Sequence, residues 1–201
     1  MTTLDRDSKG RFISDEDARQ RRTSAVKLGL AATAGAAIGM MALFGRRTAS
    51  QAPTILAGDW PQALAAEHKA VLKLFDAIEA TQTRAVARRT MLLAQLKHAL
   101  AKHAIEEENA IYPALRDAGR ADAAESLIRD HGDVKHFLYD LENMPKNAPE
   151  FLETIKAFRH EIETHMREEE ERDFPALKAQ LSEDQNRKLT RQMNREGFKL
   201  A

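Results

Sequence analysis

From residue 59 onward apolar residues return with the period of an α-helix, broken only briefly near Thr81–Gln82, Gly119 and Pro145–Asn147. The pattern predicts four long helices. The first, over 61–80, puts Leu64, His68, Val71, Leu72, Phe75 and Ile78 on one line, with Asp59 as N-cap ahead of Pro61. The second, over 85–109, aligns Leu93, Leu96, Leu100, His103 and Glu107. The third, over 121–143, aligns Leu127, Ile128, His131, Val134, Leu138 and Leu141. The fourth, over 149–172, aligns Ile155, Phe158, Ile162, His165 and Glu169. A last amphipathic stretch over 183–195 is expected to cap them. Breaks this short join antiparallel neighbours, so residues 59–201 are expected to form an all-α, up-down-up-down four-helix bundle.

The bundle reads as a duplicated helix pair. His98, His103, Glu107 and Pro113 return as His160, His165, Glu169 and Pro175, each 62 positions on, and His68 returns as His131 after 63. Within KHALAKHAIEEENAIYPAL and RHEIETHMREEEERDFPAL, Glu106/Glu168, Glu108/Glu170 and the PAL ending match as well.

The first 58 residues follow another pattern. Residues 1–24 are polar and mixed in charge, as expected of a disordered tail. Leu28 to Phe44 is a run of 17 residues without a charge. As a helix it spans about 26 Å, against a hydrocarbon core of ~30 Å. Arg19, Arg21, Arg22 and Lys27 precede it and Arg46 and Arg47 follow. We expect an N-terminal hydrophobic helix over 25–45 that anchors the chain in a membrane through residues 28–44, then a linker over 46–58. The heavier basic flank lies before the run, which favours a bundle on the periplasmic side. Gly35 and Gly39 have the small-xxx-small spacing of helix self-association. Two other readings stand beside the anchor. Arg21-Arg22 ahead of an apolar run resembles a twin-arginine export signal, although Ser24 takes the place of its usual aromatic residue. A buried or surface helix in a cytoplasmic protein is the third.

Lys+Arg and Asp+Glu balance at 31 each, which removes a strongly basic nucleic-acid binder, and no nucleic-acid partner is expected. The chain has no cysteine, so disulfides, thiolate zinc sites and cysteine-ligated clusters are excluded. All seven histidines lie in the bundle segment. Four of them, His68, His103, His131 and His165, fall on the apolar lines, and Glu107 and Glu169 continue those lines four residues after a histidine. A buried carboxylate is costly unless it is paired or bound to a cation. Four inward imidazoles and two inward carboxylates exceed a tetrahedral site and suit two ions bridged by the carboxylates. Nitrogen and oxygen donors without sulfur favour iron or manganese, with zinc less suited. His98, His136 and His160 sit five residues from a core histidine, about 140° round the helix. They read as surface residues, with support of the ligands as the other option for His98 and His160. HEIETH is one residue too long for a zinc-protease motif, and no glutamate stands three before any histidine, as a ferritin-like site requires.

The pattern His68, His103-x-x-x-Glu107, His131, His165-x-x-x-Glu169 resembles the hemerythrin-like HHE cation-binding domain family, and HAIEEENAIYPAL and HMREEEERDFPAL are similar to its repeated signature. The resemblance covers residues 60 to about 198. It implies a four-helix bundle holding a non-haem di-iron centre. His68, His103, His131 and His165 are then its nitrogen ligands, and Glu107 and Glu169 its bridging carboxylates. The oxygen-carrying members bear two histidines four residues apart on the third helix. Here Leu127 and Lys135 hold the positions four from His131, so simple reversible oxygen carriage is not expected. The function expected is binding of, or reaction with, a small oxidant (oxygen, peroxide or nitric oxide) in sensing, protection or stress response. A binding protein is favoured over an enzyme. The alternatives are iron storage or delivery, repair of iron–sulfur centres, and a di-iron peroxidase or catalase. Lys135 is a candidate for the site entrance.

Overall fold

The structure, a computed structural model, describes residues 58–200, and these are helical without strands. The helices are α1 (Trp60–Glu79), α2 (Val86–Glu106), α3 (Tyr112–Asp117), α4 (Ala121–Asn143), α5 (Glu150–Glu168), α6 (Phe174–Gln180) and α7 (Glu183–Phe198). The expected tail, hydrophobic helix and linker over 1–57 lie outside the described residues. Among the described residues no helix is long and apolar enough to cross a membrane.

Cross-helix pairs give the directions. Glu67 meets His103 while Arg89, at the start of α2, meets Thr81 just past the end of α1. His68 meets Glu170 while Asp76 meets Arg159. His131 meets Glu108 while Glu142 meets Lys97. Asp130 meets His165 while Phe137 stacks on Phe158. In every pair one residue number rises as the other falls, so neighbouring long helices run antiparallel.

The helices α1 and α4 each run through three zones, and α2 and α5 reach the third through the segments that follow them. One apolar layer gathers Val71, Phe75 and Ile78 with Leu96, Leu141, Phe151, Ile155 and Phe158. A second gathers Trp60, Leu64, Ile111, Leu127, Phe174, Leu189 and Met193. His68 falls between Leu64 and Val71 along α1, and His131 falls between Leu127 and Leu138 along α4. The histidines and glutamates thus form a polar layer between two apolar ones. Burying those layers on both sides fixes the helix positions around the polar groups to within the tolerance of a packed core.

Two features tie the ends. Ser182 and Gln185 form a capping box that starts α7, and Trp60 donates its indole N–H to Asn186 Oδ1 at 2.9 Å. At the other end the buried Arg89 donates to Thr81 Oγ1 at 2.8 Å and to the Lys146 carbonyl at 2.6 Å, lying over the Phe151 ring. Gly119, at φ +78°, makes the left-handed turn between α3 and α4 that a side chain would strain.

The helix period does not anticipate one element. Between α2 and α3, and again between α5 and α6, a wide π-helical turn intervenes, over Glu107–Ile111 and Glu169–Asp173. Prolines 113 and 175 follow, each lacking the N–H that an α-helix would use and crowding the carbonyl four residues back. The chain accommodates them by closing the turn one residue later: the Tyr112 and Phe174 N–H groups donate to the Glu107 and Glu169 carbonyls. The second and fourth expected helices therefore end their α-helical part at 106 and 168, not at 109 and 172.

Candidate metal centre

The six side chains singled out by sequence meet in the polar layer, and all six are buried. His68, His103, Glu107 and Glu169 offer donor atoms within 4.8 Å of one another, and so do Glu107, His131 and His165. Glu107 belongs to both groups. Its Oε1 lies 3.2 Å from His103 Nε2 and its Oε2 lies 3.3 Å from His131 Nε2. Glu169 Oε2 lies 3.4 Å from His165 Nε2 and 3.5 Å from His68 Nε2. Each glutamate therefore faces one imidazole from its own half of the repeat and one from the other half.

Behind every imidazole stands a carboxylate. The Nδ1 atoms of His68, His103, His131 and His165 face Glu170 at 2.6 Å, Glu67 at 3.1 Å, Glu108 at 2.9 Å and Asp130 at 3.3 Å. An Nδ1–H donated to a carboxylate fixes the tautomer and turns a basic Nε2 inward. These four residues obey the repeat too. Glu108 and Glu170 are 62 apart, and Glu67 and Asp130, each just before a core histidine, are 63 apart. Glu108 and Glu170 are hidden in glutamate runs, which ordinarily face water, Glu67 and Asp130 stand beside the apolar lines, and the signal available was their place in the duplication.

Tyr112 also escapes a search by helix period. Five residues on from Glu107, an α-helix would turn it about 140° away. The π turn brings its hydroxyl back over the layer, where it donates to Glu107 Oε2 at 3.2 Å or Glu169 Oε1 at 3.0 Å and lies 3.1 Å from His131 Nε2. The other half carries Phe174 here, stacked on His68. A second departure from symmetry is Lys102, buried between Glu67 and Glu106, where the repeat has Thr164.

His98, His136 and His160 are exposed. This corrects the option that His98 and His160 support the cluster: at ~140° from the inward line they point to solvent, and the supporting role falls to carboxylates. Lys135 is 70% exposed, 3.8 Å from Glu108, on the lip of a cavity that reaches His131.

The electrostatics are those of a cation site. Burial disfavours charge on His103, but the Glu107 and Glu67 carboxylates more than reverse this and hold it well above the ordinary histidine range. His68 and His131 are raised in the same way by Glu169 with Glu170, and by Glu107 with Glu108. Burial pushes Glu107 up, and His103 and His131 outweigh it, leaving its carboxyl well below the usual range. Burial and the neighbouring Glu67 charge push Glu106 up to about 8, against the pull of Lys102. Without metal, the buried carboxylates favour the protonated forms of His68, His103 and His131. Glu107 Oε1, Glu169 Oε2 and His165 Nε2 still lack a hydrogen-bond partner in the buried layer. Orphaned buried acceptors at these positions fit a bound metal that takes the place of protons. Replacing the carboxylate behind a ligand should weaken this without emptying it. Glu108→Ala and Glu170→Ala are each expected to lower metal affinity roughly 10–100-fold, read by chelator competition.

Residues 61–177 match the Hemerythrin HHE cation binding domain family, and the chain belongs to that family. An uncharacterized hemerythrin-like protein of Schizosaccharomyces pombe is 32% identical over 91 residues, 43% of this chain and 44% of that protein. A DNA nickase of a Nostoc species is 28% identical over 91 residues, 45% of this chain and 26% of that protein. The match spans less than half the length of either relative. The crystal structure of a Hemerythrin HHE cation binding domain-containing protein from Mycobacterium kansasii shares the fold. Its TM-score is 0.62 at 22% identity, covering 71% of this chain and 86% of that one.

Proposed function

We propose that the cluster is a non-haem di-iron centre that reacts with a small oxidant: oxygen, peroxide or nitric oxide. The observation that carries this is the pair of fully buried glutamates, each facing imidazole nitrogens from both halves of the repeat. His68 and His103 would hold one ion, His131 and His165 the other, and Glu107 and Glu169 would bridge them. Nitrogen and carboxylate donors without sulfur suit iron. An iron pair supplies two electrons to an oxidant. The chain's part is to hold the imidazoles by their Nδ1 hydrogen bonds, to exclude bulk water with the two apolar layers, and to offer the Tyr112 hydroxyl as a proton donor beside Glu169.

Reaction is favoured over reversible carriage because each half of the repeat offers two histidines and neither offers a third. Neither ion is then saturated by protein. The reduced, iron-loaded chain is expected to oxidise on exposure to oxygen and to stay oxidised when oxygen is removed. Stopped-flow absorbance followed by deoxygenation checks this, and recovery of the starting spectrum over repeated cycles would restore the carrier reading. We further propose that residues 28–44 tether this centre to a membrane, on the basis of the uncharged run between basic flanks. Full-length chain is expected to stay with the membrane pellet on carbonate extraction. Recovery of intact chain in the soluble fraction contradicts the tether.

A further inference from the structure

A cavity of about 180 Å³ lies against the polar layer between α2, α4 and α5. Its inner end is formed by the imidazoles of His103, His131 and His165. Its walls are Leu100, Val134, Leu138, Ile162 and Met166, and Lys97 and Lys135 stand at its lip. The chamber is far larger than a diatomic molecule or hydrogen peroxide needs, since one water occupies ~30 Å³. Its side walls are apolar, with the polar groups confined to the imidazole end and the lip. Apolar cavities of roughly 150 Å³ stay dry and take up molecules the size of benzene. The lip favours a neutral guest. The Lys97 ammonium lies 2.7 and 2.9 Å from the two oxygens of Glu142, and Lys135 faces Glu108.

The duplication explains why this flank is open. At offsets of 62 and 63, Ala104 and Leu138 stand where the other half of the repeat has Met166 and Phe75. Both of those larger side chains are buried, and Phe75 packs edge-on against Phe158. Met166 itself lines the chamber opposite Ala104, and Leu138, in place of a phenylalanine, leaves space on this side of the centre.

We propose that the chamber binds a small neutral organic hydroperoxide, its alkyl body against the apolar walls and its oxygens toward the imidazoles. The proposal rests on the di-iron reading above and names a substrate class for it. Reduction of such a molecule, ROOH, breaks the O–O bond, takes up two protons and two electrons, and releases ROH and water. The electrons come from a ferrous pair that ends ferric.

The test uses the full-length iron-loaded chain in its reduced form. Ala104→Met combined with Leu138→Phe fills the chamber with the larger side chains found at the related positions of the repeat. Ala104→Met alone serves if the double variant does not fold. In the wild type, tert-butyl hydroperoxide is expected to oxidise the centre and yield one tert-butyl alcohol per two irons. In the filled variant the ratio of that rate to the rate with hydrogen peroxide should fall at least tenfold, while iron content holds. A readout independent of reaction is the NMR line of added tert-butyl alcohol, which iron nearby broadens in the wild type and not in the filled variant. An unchanged ratio of the two rates in the filled variant, or no broadening on a wild type holding its iron, overturns the chamber. A wild type that holds no iron overturns the di-iron reading instead. Saturation transfer from the protein to the alcohol then decides the chamber by itself.

Discussion

Replacing Glu107 with alanine is expected to empty both halves of the centre. Its two oxygens face His103 at 3.2 Å and His131 at 3.3 Å, and a third contact reaches Tyr112. Deleting it would remove one donor from each of the two proposed ions and the charge that favours either. The metal-free chain should suffer as well. Two imidazoles whose protonated forms Glu107 favours lose its carboxylate from a buried layer. Removing one partner of a buried ion pair typically costs roughly 3–5 kcal/mol. Metal analysis should show less than a fifth of the wild-type content, and urea denaturation of the chelated protein should show the destabilisation. His98→Ala, on the exposed face, should change neither, with an effect within about 0.5 kcal/mol. An iron-replete Glu107→Ala chain would remove the bridge from the assignment.

The pH dependence of stability is expected to reverse with metal. In the metal-free chain His103, His68 and His131 are raised above 6.5 by their carboxylates. Stability from a raised histidine is complete below 6.5 and is lost as pH climbs through the folded value. Glu106, raised from 4.5 to about 8 by burial and Glu67, acts in the same direction, because the folded state resists its ionisation. Glu107, held well below 4.5 by His103 and His131 against its burial, contributes stability that is lost only in stronger acid. The metal-free bundle should therefore be most stable near pH 4.5, weaken above it as ionisation of Glu106 is opposed, and weaken more steeply above 6.5 toward pH 9. With metal present, ions displace those protons, so binding tightens as pH rises. A metal held at a hundred times its Kd adds about 2.7 kcal/mol. Thermal melts at pH 6 and 8.5, with and without chelator, should show opposite slopes. Parallel slopes would mean that the imidazoles do not exchange protons for metal.

What was legible in the sequence follows from what a helix period can encode. His68, His103, His131 and His165 stand on apolar lines, and a polar residue on such a line must point inward. Glu107 and Glu169 follow by the same spacing, and the 62-residue repeat then doubles the signal. The carboxylates behind the imidazoles are hidden because Glu108 and Glu170 lie in acidic runs, where spacing does not separate an inward from an outward glutamate. Glu106 shows the difficulty best: it is fully buried, while its repeat partner Glu168 pairs with Arg172 at the surface. Tyr112 was out of reach for a different reason. Its position depends on the π turn, which shifts the phase of everything after Glu107, and a constant period cannot carry such a shift. Pro113 is the visible cause, but its usual reading is the end of a helix. The chamber depends on Leu138 standing where the other half has Phe75, and only the packed structure gives that difference a volume.

Metal content of the purified full-length chain, with its Mössbauer spectrum after anaerobic iron loading, tests the di-iron assignment most directly. Two irons per chain are expected. They should give coupled signals and be lost together in Glu107→Ala. One iron per chain, or none, or two that survive that substitution, would contradict it.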